Sequence, residues 1–177
     1  DSFDVLTALG AAVQAQHGTV LTYHEVVGLT VAGGKVAGAT VRNRRTGAER
    51  HLAAALVVNA AGAWAGQIAG MAGCPVTVRP SKGTMVAMAY RFVNTIINRC
   101  HPPGDGDILV PVGTVAVSGS TTVNVPDPHD TSVQGWEVRK LMEEGEMMVP
   151  GFSGVRALRA WAGVRPLYEE GGNALGR

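Results

Sequence analysis

The 177-residue chain has few cysteines, few aromatic residues and no long apolar run. Its two cysteines, Cys74 and Cys100, belong to no CxxC or Cys/His pattern, so neither a disulfide framework nor a zinc site is indicated. The five histidines are scattered, which predicts no metal site. The longest low-polarity stretch, 52–66, is shorter than the roughly 20 residues that a membrane-spanning helix needs. We therefore expect a cytoplasmic protein.

The net charge is also small, because the chain has 15 basic residues and 14 acidic ones. The chain has no overall field that would recruit nucleic acid, so no nucleic-acid partner is predicted. Apolar residues make up 46% of the chain, enough for a packed core. Glycine is plentiful, with 24 residues, which indicates many tight turns or close backbone approaches.

The first third of the sequence changes from helical to strand periodicity. Helical spacing of apolar residues predicts a helix that Asp1 or Ser2 caps and Gly18 ends. Short strands are predicted at 19–21, 26–31, 35–42 and 49–52, and the turns between the last three predict an antiparallel β-meander. Residues 55–60 then predict a strand buried on both faces, followed by a helix over 64–71.

A second sheet is expected after Pro75. Strands are predicted at 77–79, 83–91, 107–110, 115–119 and 155–164. A helix over 131–149 has Thr131 and Gln134 as its predicted capping box, and Pro150 ends it. The fold class is therefore mixed α/β and α+β, with a mainly antiparallel second sheet, a covering helix and a glycine-rich tail.

The segment from Val57 to Trp64 is the first candidate site. Small residues after a buried strand let a ligand approach the backbone, and a following helix N-terminus favours phosphate, so a nucleotide could lie there. The alternative is that a buried strand–helix junction uses Ala and Gly simply for packing. Spacing alone leaves both interpretations open.

Three basic residues form the second group of candidates. Pro166 holds Arg165 in extended geometry at a strand end, which suits a guanidinium aimed at a phosphate or carboxylate. Arg159 lies six residues earlier and hence on the same strand face. Lys82, beside Gly83, could reach a bound anion. The alternatives are a surface ion pair for Arg165, a solvated charge for Arg159 and a solvent-exposed turn lysine for Lys82.

Taken in order, these segments resemble the large subunit of anaerobic FAD-dependent glycerol-3-phosphate dehydrogenases, within the glycine/D-amino-acid-oxidase-like flavoproteins. The resemblance covers nearly the whole chain, to about Leu167. Its most specific parts are Ile97-Asn98-Arg99-Cys100 and Gly163-Val164-Arg165-Pro166-Leu167. The other matching segments are 22–26, 41–43 with 46–47, 57–62, 82–84, 107–111, 119–122 and 158–160.

The resemblance implies a doubly wound FAD-binding domain interrupted by a substrate domain. On this basis 1–76 is part of the FAD-binding domain, 77–167 is the substrate-binding domain and 168–177 is a tail. Glu25 and Val26 would contact the adenine side of FAD, and Ala60, Ala61 and Gly62 would lie along the adenosine and pyrophosphate, with Trp64 beside them. Arg165 matches the arginine that binds the substrate phosphate, and Lys82 and Arg159 are placed near it.

The implied reaction is oxidation of sn-glycerol 3-phosphate to dihydroxyacetone phosphate, with electrons passing through FAD to a quinone. Partner subunits at the cytoplasmic face of the membrane are implied as well. The chain has no GxGxxG loop, and Met85 stands where aerobic relatives carry a histidine, so the catalytic base is unassigned. We therefore expect a central fragment that is inactive alone, does not retain FAD and forms a homodimer. The alternatives are a fragment of an amino-acid or amine oxidase and a non-catalytic interaction module.

Overall fold

The computed structural model describes residues 2–100, 102, 104–170 and 173–175. The chain divides into two compact units. The first consists of Asp1–Asn59 with Met71–Cys74, and the second of Ala60–Gly70 with Pro75–Arg177. The assignment of 1–76 to cofactor binding and 77–167 to substrate binding stays a prediction.

The first unit begins with a helix and continues as the predicted meander. Helix α1 spans Ser2–Ala15, and strands β1 (His24–Ala32), β2 (Lys35–Asn43) and β3 (Glu49–Ala53) pair antiparallel in the order β1-β2-β3. Gly33 and Gly34, both at positive φ, make the first hairpin turn, where a residue with a Cβ would be strained. The Asn43 side chain accepts hydrogen bonds from the backbone N–H groups of Arg45 and Thr46, which fixes the second turn.

The start of the first unit differs from the prediction in one element, because residues 19–21 form no strand. Asp1, one of the two predicted helix caps, lies outside the described residues. The side chain of Ser2, the other predicted cap, is not described. The helix nevertheless ends as predicted, since the Gly18 N–H donates to the Val13 carbonyl at 2.8 Å.

The prediction of a buried strand over 55–60 was wrong. These residues are irregular, and Leu56 and Val58 are 77% and 79% exposed. A strand buried on both faces needs a hydrogen-bonded neighbour on each side. Neither sheet of the described residues includes this run. The apolar composition therefore identifies a segment that has no partner strand in the described part of the chain.

The second unit contains a short helical segment and a seven-stranded sheet. A 3₁₀ turn at Gly62–Trp64 leads into α2 (Ala65–Gly70), which is one residue shorter at each end than the predicted helix over 64–71. The strands are β4 (Val78–Met88), β5 (Ile97–Asn98), β6 (Ile108–Val112), β7 (Val115–Gly119), β8 (Val123–Asn124), β9 (Ala157–Glu170) and β10 (Asn173–Leu175). The described order is β10-β9-β4-β7-β6-β5, with β8 also paired to β4, and the paired strands run antiparallel.

Helix α3 (Gly135–Met148) covers one face of this sheet, as expected. The helix itself contributes Leu141 to the buried core between helix and sheet. The other core residues are Val86, Met88, Leu109, Ala116 and Phe152. The predicted capping pair was displaced by one helical turn. Gln134, not Thr131, is the N-cap residue, and its backbone N–H donates to the Glu137 carboxylate at 3.0 Å.

Two strands of the second sheet are longer than predicted. Residues 77–79 and 83–91 were expected as separate strands, yet β4 runs from Val78 to Met88 without a break. Pro80 lies opposite Pro166 on β9, and neither proline has an N–H that the pairing could leave unsatisfied. Strand β9 likewise continues to Glu170, into the residues expected to form an irregular tail.

Candidate functional site

The seven-stranded sheet has two faces with different environments. We call the face under α3 the inner face; it carries Lys82, Thr84 and Val86 of β4. The opposite, outer face carries Ser81, Gly83 and Met85, because side chains alternate along a strand. Residues opposite each other in antiparallel strands share a face, so Gly163 and Arg165 of β9 also lie on the outer face.

Arg165 is held on the outer face by uncharged oxygen atoms. Its Nη2 donates to Ser120 Oγ at 2.7 Å and to the Thr121 carbonyl at 2.8 Å, and its Nη1 donates to Ser81 Oγ at 3.4 Å. These bonds use three of the five N–H donors of a guanidinium. The other two donors have no partner among the described contacts, so a ligand could accept them.

Among the described residues, no neighbouring carboxylate neutralises the positive charge of Arg165. Within the described part of the chain, Arg165 makes no ion pair, whereas Arg42, Arg44 and Arg99 each do. A guanidinium that is half buried and positioned by neutral acceptors favours an anion, since an anion supplies the missing countercharge. The surface ion pair considered for Arg165 is therefore absent from the described contacts.

Arg165 borders a pocket of about 270 Å³. The lining residues are Gly83, Met85, Ser120, Gly163, Val164 and Arg165. Gly163 leaves space above the strand, because a Cβ built there meets no atom within 4 Å. Met85 brings a thioether, which neither accepts nor donates a proton under ordinary conditions, so this pocket contains no evident general base.

Arg159 lies on the same face as Arg165, as its spacing predicted. It pairs with Ala87, is exposed, and its guanidinium lies 5.6 Å from the ring centre of Trp161. Trp161 stands between Arg159 and Gly163 along this face of β9. The structure thus brings Arg159 and Arg165 to one surface, while only Arg165 lines the pocket.

Lys82 is on the inner face, away from Arg165. It is 2% exposed, and its Nζ lies 2.6 Å from the Ser132 carbonyl and 3.1 Å from Glu137 Oε2. Lys82 is therefore neither the solvated turn lysine considered from the sequence nor a neighbour of the Arg165 guanidinium. Its predicted role in substrate binding gains no support from this geometry.

Glu137 is the buried partner of Lys82 and was not anticipated. Its Oε1 accepts hydrogen bonds from the hydroxyl groups of Thr84 at 2.8 Å and Thr121 at 2.7 Å. Burial raises the pKa of Glu137, but the bonds from Thr121, the Gln134 backbone, Thr84 and Lys82 outweigh it and hold the pKa below its ordinary value. The carboxylate is therefore ionised and fully surrounded by donors.

A sequence signal for Glu137 exists in hindsight. It lies four residues before Leu141 and eight before Gly145, hence on the helix face that both of these buried residues occupy. An acidic residue on an apolar helix face requires a buried partner. Ser81, Ser120 and Thr121 carry no such signal, because which oxygens meet Arg165 depends on the pairing of strands distant in sequence.

In the segment from Ala60 to Trp64, only Ala63 is buried, and Ala61 and Gly62 form the turn into the short helix. Gly62 has φ +55°, and a Cβ there would meet no atom within 4 Å. Trp64 Nε1 donates to His129 Nε2 at 3.0 Å, and the two rings pack edge to face.

Glu25 and Val26 belong to the first unit, in β1. Val26 pairs with Val41, and an irregularity between Val26 and Gly28 interrupts the regular pairing. The Glu25 carboxylate forms an exposed ion pair with Arg44 at 2.8 Å. Contact of these two residues with the adenine of FAD stays a prediction.

A comparison with protein families gives a match over the whole chain. The model for "FAD dependent oxidoreductase" covers residues 1–177. The chain belongs to this family. Its mixed α/β fold with antiparallel sheets agrees with the fold predicted from the sequence, and FAD is the cofactor that the family uses.

Curated relatives indicate which members of this family the chain resembles in sequence. The chain is 42% identical over 94% of its length to the A1 subunit of anaerobic glycerol-3-phosphate dehydrogenase from Haloferax volcanii. It is 41% identical over 97% of its length to the corresponding dehydrogenase subunit of Escherichia coli K12. It covers 30% and 32% of these two proteins, so it spans about a third of the curated relatives that it matches. This confirms the predicted resemblance to the anaerobic dehydrogenases.

Solved structures of flavoproteins share the fold. Glycerol-3-phosphate dehydrogenase from Bacillus halodurans, complexed with FAD, superposes with a TM-score of 0.74 at 23% identity, covering 88% of this chain and 33% of that one. Glycine oxidase from Geobacillus kaustophilus gives 0.75 at 25% identity, covering 94% of this chain and 42% of that one. Enzymes acting on a phosphate and on an amino acid thus share this architecture, so the fold alone does not choose the substrate.

Proposed function

We propose that this chain supplies the substrate-phosphate site of an FAD-linked oxidation of sn-glycerol 3-phosphate to dihydroxyacetone phosphate. The observation that carries the proposal is the Arg165 guanidinium, which Ser81, Ser120 and Thr121 hold beside an open pocket with no carboxylate partner among the described residues. A dianionic phosphate provides the complementary charge and accepts the two remaining N–H donors. The 41–42% identity to subunits of anaerobic glycerol-3-phosphate dehydrogenase supports this substrate over an amino acid.

The residues predicted to contact FAD are compatible with a ligand lying against the backbone. Gly62 is exposed, with free space where a Cβ would stand, and its neighbours Ala60 and Ala61 have side chains no larger than a methyl group. FAD supplies the acceptor for the hydride that leaves the hydroxyl-bearing carbon. This chain's own contribution is to bind and orient the substrate phosphate through Arg165, with Arg159 on the same face as a further positive charge.

The wider assembly follows from the same proposal. Electrons pass to a quinone through partner subunits, and the protein lies on the cytoplasmic side of the cell membrane. Both curated relatives are named as subunits of a dehydrogenase, which supports a multi-subunit enzyme. Among the described helices, none has both the length and the hydrophobicity to span a bilayer. Isolated chains pair into a homodimer through an exposed strand edge, an arrangement that mass measurement in solution can test.

The test is the affinity of the purified chain for sn-glycerol 3-phosphate, measured by isothermal titration calorimetry, with glycine as the comparison ligand. Arg165→Lys keeps the charge but loses the planar fork, so we expect affinity to fall about 10- to 150-fold. Arg156→Lys is the matched control, since Arg156 is an exposed arginine of the same unit. Equal binding of glycine and glycerol 3-phosphate, or unchanged affinity in Arg165→Lys, would reject the phosphate assignment.

A flavin-fluorescence titration of the same chain addresses the cofactor. Because the sequence contains no GxGxxG loop, we expect no saturable FAD binding with or without glycerol 3-phosphate. Saturable binding would show that the residues present suffice to hold the cofactor, and the expected dependence on other protein segments would then be wrong.

A further inference from the structure

The two faces of the seven-stranded sheet are connected through one residue, Thr121. On the inner face its hydroxyl donates to Glu137 Oε1 at 2.7 Å. Its backbone carbonyl accepts from Arg165 Nη2, on the outer face, at 2.8 Å. Thr121 is fully buried, so both bonds form away from solvent, where they hold their geometry best.

Thr121 is fixed by more than these two bonds. Its Oγ1 accepts the Thr84 backbone N–H at 3.0 Å, and its own N–H donates to the Thr84 carbonyl at 3.3 Å. The neighbouring Ser120 presents its hydroxyl to the same Nη2 of Arg165 at 2.7 Å. The position of this short segment therefore decides where two of the three oxygens that hold Arg165 lie.

Glu137 is itself locked in place. Its second oxygen, Oε2, accepts from the Lys82 ammonium at 3.1 Å and from the Gln134 backbone N–H at 3.0 Å. With Thr84 and Thr121 on Oε1, the carboxylate accepts four hydrogen bonds in a site with no solvent exposure. A carboxylate held in this way has one orientation, so it constrains its partners more than a solvated group does.

We propose that Glu137, acting through Thr121, is a positioning residue for the Arg165 anion site. Glu137 touches no ligand in this arrangement. It orders the Thr121 side chain from the inner face, so that the Thr121 carbonyl and the Ser120 hydroxyl stand where the guanidinium requires them. The inference rests on the proposed function only in naming glycerol 3-phosphate as the anion.

Thr84 offers a matched control for this inference. Both Thr84 and Thr121 are fully buried, and each donates its hydroxyl to the same oxygen of Glu137, at 2.8 and 2.7 Å. Only Thr121 also contacts Arg165. Thr84→Val and Thr121→Val therefore each remove one hydroxyl bond to Glu137. Thr121→Val also removes the acceptor of the Thr84 backbone N–H, and only Thr121 is connected to the guanidinium.

The experiment compares Thr84→Val, Thr121→Val and Thr121→Ser in two measurements on the full chain. The first is affinity for glycerol 3-phosphate by calorimetry, where we expect Thr121→Val to weaken binding about 3- to 10-fold, the effect of one hydrogen bond. Thr121→Ser restores the hydroxyl and the affinity, and Thr84→Val leaves affinity within about 2-fold of the original. The second is the rotation rate of the Arg165 guanidinium by NMR without ligand, expected to rise only in Thr121→Val.

Near-ultraviolet circular dichroism and urea unfolding of each variant establish that it is folded before either measurement. Equal changes in Thr84→Val and Thr121→Val would mean that Glu137 merely stabilises the sheet, which overturns the inference. The guanidinium rotation decides the inference even if the unaltered chain binds no glycerol 3-phosphate. In that case the proposed function fails and the positioning role is still judged.

Discussion

The two faces of the seven-stranded sheet provide a basic residue with different partners, a carboxylate on one face and neutral oxygens on the other. Lys82 and Arg165 stand one position apart in the register, since Lys82 pairs with Val164 and Arg165 with Ser81. Lys82, on the inner face, is buried against an ionised carboxylate and a carbonyl. Arg165, on the outer face, has hydroxyl and carbonyl oxygens as partners and no carboxylate partner in the described part of the chain.

The difference lies in charge compensation rather than in residue type. In a buried ion pair each charge compensates the other, so the pair has no net charge left to attract a ligand. A cation held by neutral hydrogen-bond acceptors has a fixed position, but its charge remains uncompensated and favours the binding of an anion. Basic residues near a pocket are therefore best ranked by whether a carboxylate already neutralises them, and by that criterion Arg165 is the candidate and Lys82 is not.

Removing the carboxylate of the inner-face pair gives the largest expected effect. Glu137→Ala leaves the Lys82 ammonium buried without a countercharge, so we expect the free energy of unfolding to fall by about 3–5 kcal/mol. Arg165→Ala leaves no buried charge behind, although it removes three hydrogen bonds from a cation, so we expect a smaller loss of about 1–3 kcal/mol. Urea unfolding of both variants measures the contrast, and similar losses would mean that the two faces do not differ as described.

A pair of glycines on the outer face sharpens the comparison at a smaller magnitude. Gly83 and Gly163 are opposite each other, but a Cβ at Gly83 would clash with Arg165 Nη2 and stand 3.0 Å from the Thr121 carbonyl, whereas one at Gly163 meets nothing within 4 Å. Gly83→Ala should therefore cost about 1–3 kcal/mol of stability. Gly163→Ala should change stability by less than about 1 kcal/mol.

The readout for this glycine pair is again the urea unfolding midpoint. Equal stability of Gly83→Ala and the unaltered chain would indicate that the Arg165 guanidinium is not held against Gly83. A large loss in Gly163→Ala would show that the outer face above this strand is more crowded than the structure indicates.

The smallest effect is a dependence on pH that belongs to the inner face. The folded-state pKa of Glu137 is below its ordinary value of 4.5. Its contribution to stability is therefore complete above about that value and is lost as pH falls through the lower folded-state pKa. We expect the drop in unfolding midpoint on acidification to be shallower in Glu137→Gln than in the unaltered chain. An identical pH profile in the two proteins would contradict the role of Glu137 in this dependence.

Much of the fold was predictable because its signals are local. The glycine turn at Gly33-Gly34 and the spacing of apolar residues are sufficient to indicate the meander, and the apolar face of 131–149 indicates the covering helix. The run 55–60 was misleading because strand formation depends on partners that a composition does not reveal. The gap predicted between 77–79 and 83–91 was wrong for a related reason, since Pro80 lies opposite Pro166 and interrupts no pairing.

The candidate site was predictable only in part. Arg165 stood out because Pro166 predicts an extended backbone at Arg165, and Arg165 is indeed in an extended strand. The prediction that it stands at a strand end was wrong, because β9 continues to Glu170. The buried pairing of Lys82 was not predictable because its partner, Glu137, lies 55 residues away on another element, a distance over which sequence spacing carries no information. Hydrogen-bond partners that come together through tertiary pairing are the part of a site that local patterns cannot supply.

The three tryptophans of the chain are distributed so that each can serve as an optical reporter for a different event. Trp161 lies beneath the Arg159 guanidinium on the outer face, so its emission responds to charge arriving there. Trp64 donates its Nε1–H to His129 beside the turn predicted to contact the cofactor, so its emission responds to changes at that turn. Trp136 lies in the first turn of α3 and reports on the helix that covers the other face of the sheet. Single-tryptophan versions of the chain would therefore let ligand arrival, changes at the turn and unfolding be followed separately without an external dye.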